Sequence, residues 1–262
     1  MICLTLAAFL KPGLAQDARG CDDGGLNDVE HKTAAVALLG RFIFEYKSND
    51  HHMTQILIMP DFSSPGIMRL GFHDKNLDDN YCFNVSHFTV DDSRVSIQSV
   101  PTSGVGLCET KARCTIQLNK PNGDNVFVLI GFQLSYRSGI DHHVDEIAIL
   151  EDDGTLKVAF NDKDDDTQLL YRVKYAYVPR DRFRELGQSE GFDERQEATA
   201  TMPGGVAVLR GFRFRFLNGD HHVRKLGILP VQSSPNGTAY IYYSDKNGDD
   251  PFDWLYRWAI LN

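Results

Sequence analysis

Asp-His-His occurs three times in this sequence, as Asp50-His51-His52, Asp141-His142-His143 and Asp220-His221-His222, and the triplets hold six of the nine histidines. Imidazole binds transition metals and moves protons near neutral pH. Three neutral imidazoles with a fourth position left to water make a good zinc site, and His52, His143 and His222 are the candidate ligands, one from each triplet. A neighbouring carboxylate can accept the second N–H of such a ring and fix its orientation. Contact with a bound polar ligand is another use of the same nine residues. A structural use competes with both: Asp ahead of a turn bonds nearby backbone N–H groups, and a His pair can close a strand end against aromatic rings.

An acidic loop follows each triplet: Asp74-Lys75-Asn76-Leu77-Asp78-Asp79, Asp162-Lys163-Asp164-Asp165-Asp166 and Asp245-Lys246-Asn247-Gly248-Asp249-Asp250. Each fits D-x-[DN]-x-D, whose alternate oxygens (Asp74, Asn76, Asp78; Asp162, Asp164, Asp166; Asp245, Asn247, Asp249) can wrap a calcium ion. An EF-hand needs Glu at the twelfth position, where this chain has Val85, Val173 and Tyr256. These are therefore not EF-hands, and solvated hairpin tips account for the same residues. Zinc and calcium are thus the cofactors to test. A third group, Tyr242, Tyr243, Trp254, Tyr256 and Trp258 beside Arg213 and Arg215, has the aromatic faces and guanidinium groups that hold sugars, although alternating aromatics are also what strands bury. There is no G-x-S-x-G, HExxH, P-loop or G-x-G-x-x-G; no catalytic residue is assigned, and an enzyme is the less favoured class.

The elements that carry these groups repeat. AVALLGRFIFEYKSNDHH, VFVLIGFQLSYRSGIDHH and VAVLRGFRFRFLNGDHH each read as a strand ending in a polar turn, with Phe42, Phe44 and Tyr46, then Phe132, Leu134 and Tyr136, then Phe212, Phe214 and Phe216 on one face. A second apolar run follows each triplet, then turn residues, then IMRLGF, TLKVAF or TAYIYY leading into the acidic loop and a last strand. The triplets begin 91 and 79 residues apart, too far for most solenoid repeats and suited to a small sandwich of about six strands. In an extended chain His52 shares a face with Ile56 and Ile58, His143 with Ile147 and Ile149, and His222 with Leu226 and Ile228. The expectation is an all-β protein of three tandem antiparallel β-sandwich-like repeats, packed with pseudo-threefold symmetry or strung as a row. The boundaries are residues 1–15, a signal-peptide-like segment; 16–95, repeat 1; 96–180, repeat 2; 181–205, a charged linker and lead-in; and 206–262, repeat 3.

The order VFVLIGFQLSY, a His-bearing turn, a strand, LKVAF and YRVKYAYV resembles the H-type lectin domain, as does the ending Leu255-Tyr256-Arg257-Trp258-Ala259-Ile260. The resemblance covers about 55 residues of each repeat and rests on strand order more than on identity. It implies a six-stranded sandwich, trimeric packing rebuilt within one chain, and binding of N-acetylgalactosamine or a related sugar. The family's sugar-binding Arg and Asp positions do not align here, and none is carried over.

Net charge is −9, so phosphate is repelled and nucleic acid is not an expected partner. The apolar run Ile2 to Leu10 is too short to span a bilayer, and Gly13-Leu14-Ala15 suits a signal peptidase, although no basic residue precedes the run and Lys11-Pro12 interrupt it. Loss of that segment would leave Cys21, Cys82, Cys108 and Cys114, either as free thiols or as disulfides in a secreted or periplasmic protein. Cys108 and Cys114 bracket a hairpin and are the natural pair, with Cys21–Cys82 following by elimination. The functional expectation is an extracytoplasmic protein binding a glycan or other polar ligand at three repeated sites. A metal-dependent enzyme using a His cluster and a structural or adhesive β protein are the alternatives.

Overall fold

The computed structural model describes residues 15–22, 29–32, 36–47, 52–61, 66–75, 80–108, 112–137, 143–163, 168–194, 197–217, 222–231, 237–247 and 251–262. These form β1 (Ala15–Asp22), β2 (Val29–Lys32), β3 (Ala37–Tyr46), β4 (Met53–Pro60), β5 (Ile67–Asp74), β6 (Tyr81–Thr89), β7 (Ser96–Val100), β8 (Gly106–Cys108) and β9 (Arg113–Gln117). The chain continues through β10 (Asn125–Tyr136), β11 (Val144–Asp152), β12 (Thr155–Asp162), β13 (Leu169–Pro179), β14 (Phe183–Asp193) and β15 (Glu197–Thr201). It ends in β16 (Ala207–Phe216), β17 (Val223–Val231), β18 (Thr238–Asp245) and β19 (Phe252–Leu261). The one helical element among the described residues is a 3-10 turn, Arg180–Arg182.

The all-β expectation holds. The strands form three antiparallel sheets, ordered β1-β6-β3-β17-β18-β15, β2-β5-β4-β10-β13-β7 with β8 also on β13, and β14-β19-β16-β11-β12-β9. Within each of the three segments, the first and fourth long strands lie in one sheet and the second and third in the next. The two halves face each other as in a sandwich, with Tyr46 stacked on Phe72, Tyr136 on Phe160 and Phe216 on Tyr243, ring centroids 4.1, 4.4 and 4.1 Å apart. Neighbouring segments then join edge to edge, so the pairing is cyclic. At the three joints Phe42 is opposite Ile228, Phe132 opposite Ile58 and Phe212 opposite Ile149, in one shared register. The side-chain period of two places those aromatics inward. Their rings meet at the centre, 5.5, 5.2 and 5.4 Å apart, and all three are fully buried.

Close backbone approach at the joints explains two glycines. A Cβ on Gly131 would run into the Ile58 carbonyl, and one on Gly211 would lie 2.7 Å from the Ile149 carbonyl oxygen. Each lies beside a register shift, between Leu129 and Gly131 and between Leu209 and Gly211; the third first strand has its shift between Leu39 and Arg41.

Residues 181–205, expected as a linker, contain β14 and β15, which edge the third and first sheets. Exposure alternates along β15 and along β14 from Gln188 onward, with mostly polar side chains and Phe192 outward, the pattern of an edge strand with one face in water, so low apolar content there does not signal a free connection. Aromatic rings on β19 lie across this edge: a Cβ at Gly187 would collide with Trp258 and one at Gly191 would crowd Trp254. Cys21 and Cys82 face each other across the β1–β6 pair, and Cys108 lies beside Cys114; both pairs are at disulfide distance. No helix among the described residues is long and apolar enough to cross a membrane.

The crossing from β6 to β7 is pinned to the 3-10 turn by charge. Arg94 bonds Asp92 at 2.8 Å and Asp181 at 2.9 Å, and Arg182 Nε bonds Asp92 at 2.5 Å. The hydrogen bonds from Arg94, then the Arg182 contact, hold the Asp92 carboxyl well below the usual carboxylate range against the opposing effect of burial. An unfolded Asp titrates near pH 3.9. Because the folded value lies below that, the stabilisation is complete above about pH 5 and is lost as the pH falls through the folded value. Asp92→Asn therefore lowers the melting temperature at pH 7, and the gap from the unsubstituted protein narrows toward pH 2. A gap of constant size in melts across that range would refute the account.

Candidate functional site

His52, His143 and His222 directly precede β4, β11 and β17, the second strand of each segment. The cyclic pairing turns these three sequence-distant positions toward one place. One ligand atom from each ring lies within 4.8 Å of those from the other two. The ring centroids are 5.0, 4.2 and 4.9 Å apart, at interplanar angles of 45 to 61°. The rings are half-buried, and the Nδ1 atom of each is shielded from solvent.

The backbone that carries the rings is held by neighbours. Lys75 N–H donates to the His52 carbonyl and Lys163 N–H to the His143 carbonyl, both at 3.1 Å. The Tyr243 hydroxyl donates to the carbonyl of Val144, one residue beyond His143, at 3.3 Å. Met53, Val144 and Val223 follow the three histidines and are buried. Simple alternation would place Met53 and Ile56 on opposite faces, yet both are in the core. The reason is a bulge: the register slips between Met53 and Gln55, between Val144 and Glu146, and between Val223 and Lys225. The parity count from the sequence therefore does not describe how the rings reach the centre.

Three atoms no more than 4.8 Å apart place a central ion at most about 2.8 Å from each, against the 2.0–2.1 Å of a zinc–imidazole bond. Each ring therefore needs to close by at most roughly 0.7 Å, a shift within the reach of small side-chain rotations. The donor set, three imidazoles with a fourth position left, is that of a transition-metal site and not of a calcium site.

The remaining members of the triplets, Asp50, His51, Asp141, His142, Asp220 and His221, lie outside the described residues, as do Asn76, Asp78, Asp164, Asp166 and Asp249. Asp74, Asp162 and Asp245 end β5, β12 and β18 and are buried. Asp245 accepts a hydrogen bond from the Asn247 N–H at 2.9 Å, an Asx turn that uses one of its oxygens locally. Burial, then the charges of Asp162 and Asp145, push the Tyr136 phenol well above its ordinary value, so it stays neutral beside the acidic strand end.

The aromatic group of the third segment divides. Tyr243, Trp254, Tyr256 and Trp258 are core residues, whereas Tyr242 lies on the surface side with Lys225 Nζ 3.9 Å from its ring centre. Arg213 and Arg215 both pair with Asp253.

No family model matches the chain, and no curated protein matches it.

Proposed function

We propose that the chain binds one divalent transition-metal ion, zinc by the chemistry of its donors, at His52, His143 and His222. The observation that carries this reading is the meeting of three histidines from three separate segments within 4.8 Å. Three imidazoles crowded into a half-buried spot repel one another when protonated, whereas their neutral forms present lone pairs that an ion can share. With an ion the arrangement cross-links the three segments where their second strands begin. The rings are only half-buried, so water would reach a fourth position, and such an ion would make that water more acidic. The two cysteine pairs at disulfide distance support an oxidising, extracytoplasmic setting.

Elemental analysis by plasma mass spectrometry tests the reading, on protein purified without chelator and again after chelation. About one zinc per chain is expected, and cobalt added to the stripped protein should give the visible absorption of a four-coordinate site. Stripped protein that takes up neither ion would sink it. Calcium held by the acidic loops would register in the same measurement as a separate element, at up to three per chain.

A polar-ligand site also has an observation behind it, but away from the triplets that were expected to form it. A cleft of about 440 Å³ is lined by Glu151, Asp152, Tyr177, Arg210 and Arg257 among others. Its rim includes the far end of β11, nine residues from His143, a separation of roughly 30 Å at strand spacing. A small saccharide or other hydroxylated molecule fits this volume.

A further inference from the structure

We propose that this cleft binds a small hydroxylated carboxylate, an acidic sugar or an open-chain hydroxy acid, with the Arg210 guanidinium holding its carboxylate. The proposal deepens the polar-ligand reading and rests on it. The cleft opens where the end of β13 in the second sheet faces β14, β16 and β19 of the third, with the β11–β12 turn as one wall.

Most charges lining the cleft are already used. Arg257 Nη1 donates to Asp152 Oδ1 and to the Glu151 carbonyl, both at 2.8 Å. Lys120 pairs with Asp153 at 3.3 Å. Glu151 Oε1 accepts the Gly154 N–H at 2.6 Å. Arg210 differs: no hydrogen bond or ion pair to the described residues holds its guanidinium, and its Nε is shut off from solvent without a partner. Tyr177 is fully buried, and its hydroxyl also lacks a partner. Burial and the nearby Glu151 charge keep that phenol protonated, hence a donor. A half-buried cation and a buried hydroxyl, both without an acceptor, leave unmet hydrogen-bonding capacity that is costly in a folded protein.

The missing group is an acceptor, and the planar fork of a guanidinium matches a carboxylate. The rest of the lining argues against a more highly charged anion. Asp124, Glu151, Asp152 and Asp153 outnumber Lys120, Arg210 and Arg257, so a dianionic phosphate meets net repulsion. Those carboxylates and Gln188 suit a ligand whose other groups are hydroxyl donors. The site is also single. Residue 210 occupies the bulge of β16, whereas the corresponding bulges of β3 and β10 carry Gly40 and Ile130. Bulges re-aim a side chain, and only this one carries a cation.

Calorimetric titration of the full chain tests the assignment, with D-glucuronate, D-gluconate, D-glucose and inorganic phosphate as probes. Saturable binding of glucuronate or gluconate is expected, with glucose at least about tenfold weaker because it lacks the charged acceptor. The preference between the first two separates a sugar ring from an open-chain acid. Arg210→Met should weaken the preferred acid by about tenfold or more. Arg210→Met should also melt no lower than the unsubstituted protein, since it removes a desolvated charge without a partner. Glucose binding as well as the acids would overturn the carboxylate assignment and leave the polar-ligand reading intact. Tighter binding of phosphate, or undiminished acid binding by Arg210→Met, would likewise overturn it. No binding of any probe at about 20 mM would overturn both.

Discussion

Zinc at a thousandfold excess over its dissociation constant should raise the melting temperature of the metal-free protein by roughly 10 °C, and His143→Ala should abolish that rise. The magnitude follows from linkage: an ion bound only by the folded chain adds about 4 kcal/mol at that excess, and in a chain of this size each kcal/mol is worth about 2–4 °C. His52→Ala and His222→Ala should behave like His143→Ala, because each removes one of three ligands that meet within 4.8 Å. Differential scanning calorimetry of the four proteins, with and without zinc, reads the effect. If the histidines only tie down strand ends, each substitution lowers stability by its own amount and zinc leaves every melt unchanged. That outcome would return the triplets to a structural role.

Truncating the central aromatic triangle should cost more than any surface change. Phe212→Ala is expected to lose about 3–5 kcal/mol, the range for a large ring removed from a packed core. Phe212 is fully buried and touches both Phe42 and Phe132. It also faces Ile149 across the joint between two segments, so its loss loosens the place where all three meet. Urea unfolding should show a lower midpoint with an unchanged slope. Phe212→Leu, which keeps most of the volume, should cost far less. A loss below about 1 kcal/mol for the alanine variant would mean that the segments are held together elsewhere.

Much of this protein is legible along the chain. Alternating Phe42, Phe44 and Tyr46, with their counterparts in the other two segments, determines long strands with one apolar face, because a strand shows successive side chains to opposite sides. Among the described residues, His52, His143 and His222 precede the second long strand of their segments, and Asp74, Asp162 and Asp245 end the third. The cysteine pairs were legible from the close spacing of Cys108 and Cys114 and from two cysteines left over, but the expected hairpin is not there: β8 pairs with β13 in the second sheet and β9 with β12 in the third, so the first pair joins two sheets. Other features were hidden by composition. The edge strands β14 and β15 carry mostly polar side chains outward and look like a linker until β19 and β18 are found beside them. Trp254 and Trp258, which could have been sugar platforms, are nearly buried.

The tertiary structure alone decided that each segment divides between two sheets and that the segments close in a ring. Strand order within a sheet depends on contacts between residues far apart in the chain, which no local pattern encodes. That closure brings His52, His143 and His222 together, and bulges one or two residues beyond them set the faces of the residues beneath. It also creates the cleft that Arg210 and Tyr177 line from two different sheets. Residue types and spacing thus determined which chemistry this chain carries, whereas the ring of sheets decided which side chains share a site, because a site is made by distances in space and the sequence records only distances along the chain.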